Sequence, residues 1–327
     1  MLPIPGSLFI TENSKKKLKL VESELLSGLE GSFPIIKKMA AHIFEGGGKR
    51  VRPLFLLLVS EMLGYEGDDD VRVAVAIEYI HTATLVHDDI IDAAVSRRSR
   101  ATLHNIYDSN LSILFGDYIY AQGISIINNF RNHKLMTVFS ILTQDMIKGE
   151  ILESENKHNI NLSYDDYLKI IDFKTAELFG GCGQLGAIIS GADDHTESAI
   201  RSAGLKFGMA FQFIDDLLDF DLDEGALGKP TFADLQDGKL TLPSFLLMES
   251  GAEGKEIVET IMKEKGFISI GKEVLASAID DRDIKNKVRK KAEDLILEAL
   301  DLIHMLPMNS AHKAIENLAG SFIKREH

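Results

Sequence analysis

The sequence predicts an all-α protein, and three observations carry that prediction. Only seven prolines occur in 327 residues, and none lies between Pro53 and Pro230. Proline costs a helix interior about 3 kcal/mol, so this span is open to long helices. Apolar residues recur at spacings of three and four. In VRVAVAIEYIHTATLVHDDIID, Ala74, Ile77, Ile80, Thr84 and Ile91 fall near one stripe, and GDYIYAQGISIINNF and IRSAGLKFGMAFQFIDDLLDF read the same way. Finally, the chain lacks the alternating runs joined by Asn-Gly-type turns that announce hairpins.

Breaks separate the helical runs in order. They fall at EGGGKRVRP (45–53), GYEGDDD (64–70), SENKHNINLS (154–163), SGADDHTES (190–198), DEGALGKPTFADLQDGKLTLP (223–243) and ESGAEGKE (249–256). Ser163 stands before YDDYLKIIDF as a helix-start signal, and Asp194 to Thr196 mark the start of a later helix. With no strong linker and no low-complexity segment, the expectation is a single domain over 1–327 whose core is buried by helix against helix.

Composition narrows the function. A net charge of −14 leaves no basic footprint of the kind nucleic-acid binders carry, so no nucleic-acid partner is expected. An acidic chain holds phosphate through a local basic cluster or through metal ions. The single cysteine, Cys182, rules out an internal disulfide framework and a cysteine-based zinc site, and it fits a reducing, cytoplasmic compartment. Neither a signal peptide nor an apolar run long enough to span a membrane is expected.

Chemistry concentrates in a repeated motif. DDIID at 88–92 (Asp88, Asp89, Asp92) is answered by DDLLD at 215–219 (Asp215, Asp216, Asp219). On a helix, positions i and i+4 share a face, so Asp88 projects with Asp92 and Asp215 with Asp219. Like charges at that spacing destabilise a helix, and near its C-terminus they also oppose the macrodipole. A bound cation offsets both penalties. Hard carboxylate oxygens suit magnesium, with manganese as a substitute, and magnesium shares its shell with substrate phosphates. The Asp-x-Asp-x-Asp-Gly loop of an EF-hand is missing.

Basic positions recur beside both acidic clusters. EGGGKRVRP supplies Lys49, Arg50 and Arg52 behind three glycines, a plausible anion site that lacks the Ser or Thr of a Walker A loop. Arg97 and Arg98 follow the first motif, and Lys229 and Lys239 follow the second. GGCGQLG matches G-x-G-x-x-G at Gly181, Gly183 and Gly186, but a helical run precedes it where a dinucleotide site needs a strand. Close helix packing is the expected role of these glycines.

Taken together, GGGKRVRP, IHTATLVHDDIIDAAVSRR, FGDYIYA, KGE, FKTAELF, FQFIDDLLDF, GKP and DGKLTLP resemble the trans-prenyltransferases, the all-trans polyprenyl diphosphate synthases, over most of the chain. The resemblance implies a bundle of long helices around a deep central cavity and a homodimer. It implies an enzyme that joins isopentenyl diphosphate to an allylic diphosphate with magnesium, in a set of about three ions. Asp88, Asp92 and Asp215 would coordinate metal on the allylic diphosphate, with Asp89, Asp216 and Asp219 supporting. Arg97, Lys174 and Lys229 would contact the same diphosphate. Lys49, Arg52, His81 and Arg98 would bind isopentenyl diphosphate, and Thr175, Gln212 and Lys239 would line the reacting centre. Ser99 departs from the glycine usual after the two arginines, which bears on a turn more than on the chemistry. A terpene cyclase of the same fold would not need the Lys49/Arg52/His81 set.

Product length has its own physical reading. A growing chain descending from the first motif meets residues four or five positions before Asp88, about one helical turn or roughly 5 to 6 Å below it. Short-chain members tend to carry an aromatic floor there. Here the positions hold Ala83 and Thr84, with Ile80 further down. The expectation is an open tunnel and a medium- or long-chain, octaprenyl-like product. A shorter farnesyl or geranylgeranyl product is the alternative, with Tyr79 and GDYIYAQGISI as residues able to close the tunnel. Loose membrane contact is an open route for releasing so apolar a product.

Overall fold

The computed structural model describes residues 10–29, 31–97, 100–220 and 231–324. Helices dominate it, as the sequence predicts. In order they are α1 Glu12–Ser27, α2 Pro34–Phe44, α3 Val51–Met62, α4 Asp69–Ile91, α5 Leu103–Ile106, α6 Ser109–Asn129, α7 His133–Glu155, α8 Tyr164–Ile171, α9 Glu177–Ile189, α10 Asp194–Leu218, α11 Ala233–Gln236, α12 Leu242–Glu249, α13 Ala252–Glu264, α14 Lys272–Asp281, α15 Ile284–Ile303 and α16 Ser310–Ile323. A single π-helical turn, Asp172–Ala176, joins α8 to α9. Two short antiparallel strands, Ser96–Arg97 and Arg100–Ala101, pair Ser96 with Ala101 and Arg97 with Arg100. The sequence did not announce this hairpin, since neither strand is long enough to show alternation. No helix among the described residues is long and apolar enough to cross a membrane.

The contacts divide the chain into two compact units, residues 1–144 with 179–204 and 302–318, and residues 145–178 with 205–301 and 319–327. In the first unit α4 is the central element. From Val71 to Ile80 it is buried on nearly every side, and Ala74, Ile77 and Ile80 are 1% exposed or less. The predicted single stripe is therefore too narrow for the first half of the helix and too long for the second, where Ile91 is 54% exposed. Helices surround the early turns, and the last turn breaks out towards the acidic motif.

Buried charges fix how α1, α3 and α4 meet. Lys17 Nζ lies 2.7 Å from Asp70 Oδ2 and donates a second bond, also 2.7 Å, to the Gly67 carbonyl. Ser60 Oγ donates to the same Asp70 oxygen at 2.6 Å, and the Val71 amide donates to Asp70 Oδ1 at 2.9 Å. Breaking a satisfied buried pair from one side strands the other charge. Lys17→Met is expected to cost about 3 to 5 kcal/mol, read as a drop in the denaturant midpoint at constant m-value.

Glycines allow the closest helix approaches. A Cβ on Gly181 would stand 2.2 Å from Leu142 Cδ1, one on Gly183 2.8 Å from Ile200 Cγ2, and one on Gly186 2.8 Å from the Leu56 carbonyl oxygen. All three lie in α9, so GGCGQLG is a packing surface, as its helical context predicts. On α6, a Cβ added to Gly123 would stand 3.1 Å from the Ala76 carbonyl oxygen and 3.3 Å from Ile80 Cγ2 of α4. Cys182 is fully buried beside these glycines, and burial pushes its thiol up to about 12.

In the second unit, Tyr164, Tyr167 and Phe245 form an aromatic cluster with ring centroids 5.3 to 5.9 Å apart. Ser163 caps α8 as predicted, its Oγ accepting from the Asp166 amide at 3.1 Å. In the first unit, the cap of α10 falls one residue earlier than predicted: Asp193 Oδ1 accepts from the Thr196 amide at 2.8 Å.

Candidate active site

Each aspartate motif closes a long helix. In the first unit Asp88 and Asp89 lie in the last turn of α4, and Asp92 is its C-cap, with its amide donating to the Asp88 carbonyl at 2.8 Å. In the second unit Asp215 and Asp216 lie in the last turn of α10, and Asp219 stands just beyond Leu218. The carboxylates thus gather where the helix dipole is already negative. This is an arrangement a cation stabilises and an empty helix end does not favour.

Asp89, Asp216 and Asp219, the three expected to play supporting parts, are tied into the protein by their own oxygens. Asp89 Oδ1 accepts from Arg97 Nε at 2.7 Å. Asp219 caps α11, with Oδ1 and Oδ2 accepting from the Ala233 and Asp234 amides at 3.0 Å each. Asp216 is 3% exposed, and its two oxygens accept from Tyr167 Oη at 2.6 Å and Gln212 Nε2 at 2.7 Å. Burial pushes the Asp216 carboxyl up to about 7, with repulsion from Asp234 and Asp215 adding to it. Asp88 is 8% exposed, Asp92 half-buried and Asp215 exposed.

In the first unit the glycine turn before α3 is shaped by Arg50. Its backbone is left-handed, with φ 44°, and its guanidinium turns inward, donating to Glu22 Oε1 at 2.6 Å and Glu78 Oε1 at 2.5 Å. The neighbouring Lys49 is exposed. Arg52, one helical step on, donates from Nη1 to His81 Nε2 at 3.2 Å and lies 5.1 Å over the Phe179 ring. Because arginine has no acceptor, that His81 nitrogen must carry a lone pair. A cleft beside this turn is lined by Gly46, Gly47, Arg97 and Arg100 together with Asp89 and Thr82. Arg98 lies outside the described residues.

In the second unit Lys174 and Thr175 sit in the π turn, a local widening that often marks functional sites. Gly149 of α7 lets it form there, since a Cβ on Gly149 would stand 2.7 Å from the Lys174 amide nitrogen and 3.0 Å from its Cα. Lys174 Nζ reaches Glu150 Oε2 at 2.7 Å and also donates to Glu153. Lys239 Nζ lies 3.4 Å from Glu153 Oε2. Its position is set by Gly238, at φ 82°, against which the His158 ring packs. Thr175 Oγ1 donates to Gln212 Oε1 at 2.7 Å, which links Thr175 through Gln212 to Asp216. Lys229 lies outside the described residues. Sequence reasoning assigned no part to Glu150, Glu153 or Tyr167. The available signal was KGE followed by Glu153, two carboxylates on one helix face that call for a cation.

The residues expected to set chain length lie on α4. Ala83 and Ile80 are buried, and Thr84 is half-buried with its hydroxyl donating back to the His81 carbonyl at 2.8 Å. Tyr79 is committed elsewhere: its hydroxyl donates to the Leu25 carbonyl of α1 at 3.0 Å. His87 packs over Gly116 and pairs with the Ile113 carbonyl at 3.1 Å, which is a structural role between α4 and α6.

A sequence profile of the polyprenyl synthetase family matches residues 33–277. This chain belongs to the polyprenyl synthetase family. The octaprenyl diphosphate synthase of Haemophilus influenzae is 32% identical to this polyprenyl synthetase over 311 residues, covering 95% of this chain and 94% of that one. The geranylgeranyl diphosphate synthase of Sulfolobus acidocaldarius is 32% identical over 316 residues, covering 93% and 95%. The crystal structure of a polyprenyl synthase from Caulobacter crescentus, complexed with calcium and isoprenyl diphosphate, matches the fold with a TM-score of 0.89 at 30% identity, covering 95% of each chain. The chain is a prenyltransferase of the isoprenoid synthase fold, as its motifs predict.

Proposed function

We propose that this polyprenyl synthetase condenses isopentenyl diphosphate with an allylic diphosphate, of farnesyl or geranyl type, to give a medium- or long-chain all-trans product. The observation that carries the chemistry is the pair of aspartate motifs, each at the C-terminal end of a long helix. Asp88, Asp92 and Asp215 offer the hard oxygen donors that magnesium takes, while Asp89, Asp216 and Asp219 hold the segments that carry them. Bound magnesium neutralises the diphosphate leaving group. Lys174 and Lys239 add positive charge at fixed positions as that group departs, with Glu150 and Glu153 aiming the lysines until then. Lys49, Arg52 and His81 take the second diphosphate. Arg97, Arg98 and Lys229 complete the anion contacts. Thr175 and Gln212 line the reacting centre, where the second substrate's double bond attacks the allylic cation and a proton is lost. Incubation with labelled isopentenyl diphosphate, farnesyl diphosphate and magnesium should give extended product, and failure to extend any allylic primer overturns the reading.

The small residues at Ala83 and Thr84 and the engagement of Tyr79 with α1 support an open tunnel and an octaprenyl-like product. Ala83→Phe is expected to shorten the product by at least one isoprene unit with extension still proceeding, as read by chromatography. An unchanged product distribution would sink the tunnel argument. Ile113 and Leu114 of α6, 42% and 62% exposed, and Ile147 and Ile151 of α7, 51% and 55% exposed, support a homodimer. The lone cysteine supports a cytoplasmic setting, with membrane contact limited to product release.

A further inference from the structure

Away from both aspartate motifs, the first unit holds a second group of metal-ligating side chains. His304 follows the end of α15, and His312 and Glu316 lie one turn apart on α16, so that the last two share a face. One ligand atom from each comes within 4.8 Å of the others. His304 Nε2 is 2.8 Å and His312 Nε2 3.7 Å from Glu316 Oε1. These distances bracket the roughly 3.3 Å between donors of a tetrahedral ion with bonds near 2.05 Å. The imidazole rings lie nearly parallel, 10° apart with centroids at 5.6 Å.

His312 is the decisive residue. Its side chain is fully buried, yet neither ring nitrogen has a hydrogen-bond partner. A buried polar nitrogen left without a partner is costly, and native interiors rarely tolerate one without a purpose. Its backbone is held in place by Asn309, whose Oδ1 accepts from the Ala311 and His312 amides at 3.0 and 3.1 Å and whose Nδ2 donates to the Met62 carbonyl at 2.9 Å. His304 and Glu316 are partly exposed, which gives an ion access from solvent and leaves room for water in its shell.

We propose that His304, His312 and Glu316 bind a borderline transition-metal ion of the zinc, cobalt or nickel class, with water completing the coordination. Two imidazole nitrogens and one carboxylate oxygen suit these ions and not magnesium or calcium, which take oxygen. The ion clips the end of α15 to α16 and lies outside the residues assigned to prenyl transfer.

The test is equilibrium dialysis of the chelator-stripped full chain against micromolar zinc chloride, with millimolar magnesium present to occupy oxygen-only sites. The wild type should bind one zinc ion per chain that His304→Asn and Glu316→Gln each bind at least about tenfold more weakly. Zinc should raise the melting temperature of the wild type and not of the variants. Both substitutions are at partly exposed positions, and an unchanged prenyl-transfer rate with magnesium alone shows that the variants are folded. Wild-type zinc affinity in either variant overturns the proposal, as does a wild type that binds no zinc.

Discussion

Asp88→Asn is expected to lower the turnover number about a thousandfold while leaving stability nearly unchanged. The substitution keeps the shape of the side chain and removes its charge. Losing one well-placed electrostatic contact to a developing anion typically costs a factor of 10² to 10³, about 4 kcal/mol at the upper end. The stability half of the expectation separates a functional role from a structural one. Asp88 sits in the last turn of α4 with Asp92 at the cap, so its charge opposes both its neighbour and the helix dipole. As asparagine the side chain keeps an acceptor oxygen at this buried position, so stability should change by less than about 1 kcal/mol. Single-turnover extension at saturating magnesium gives the rate, and a thermal melt without magnesium gives the stability. If both fell together, the carboxylate would be holding the fold and not a cation.

The second large effect belongs to a residue with no functional group. Gly149→Ala should reduce turnover about a hundredfold and cost about 1 to 3 kcal/mol of stability. Helix propensity alone predicts the opposite sign, because alanine is favoured over glycine by about 1 kcal/mol in a helix interior. Here the new methyl meets backbone, the Lys174 amide nitrogen at 2.7 Å, and backbone gives way only if the π turn moves. Lys174 and Thr175 move with it, away from Glu150 and Gln212. The paired control is Gly320→Ala in α16, where an added Cβ meets nothing within 4 Å and stability should rise. Melting curves and steady-state rates on the two variants test both signs.

The two cases mark what the sequence made legible. The helices were legible because burial imposes a 3.6-residue period, and the aspartate motifs because repeated like charge at i and i+4 needs an explanation within a few residues. The π turn was not, since DFKTA carries no local mark. It is selected by how closely Gly149 of α7 approaches. The Arg97–Asp89 pair was within reach of sequence reasoning, with seven residues between the partners. Tyr167 on Asp216, 49 residues apart, was not, because only the packing of α8 against α10 brings them together. Nor did α4's pattern reveal that it is enclosed, because a helix buried on every side has no polar face to set its period against.

The chain from Thr175 through Gln212 to Asp216 has a fixed sense. Asp216 accepts from the Gln212 amide nitrogen, which turns the amide oxygen towards Thr175, and Thr175 gives up its only hydroxyl proton to that oxygen. What the hydroxyl has left for anything beside it is lone pairs. It is an electron-rich surface that cannot act as an acid, suited to lying against a carbocation without protonating the double bond that follows. Replacing Thr175 with valine would keep the shape and erase the polarity, leaving Gln212 with an oxygen aimed at a methyl group.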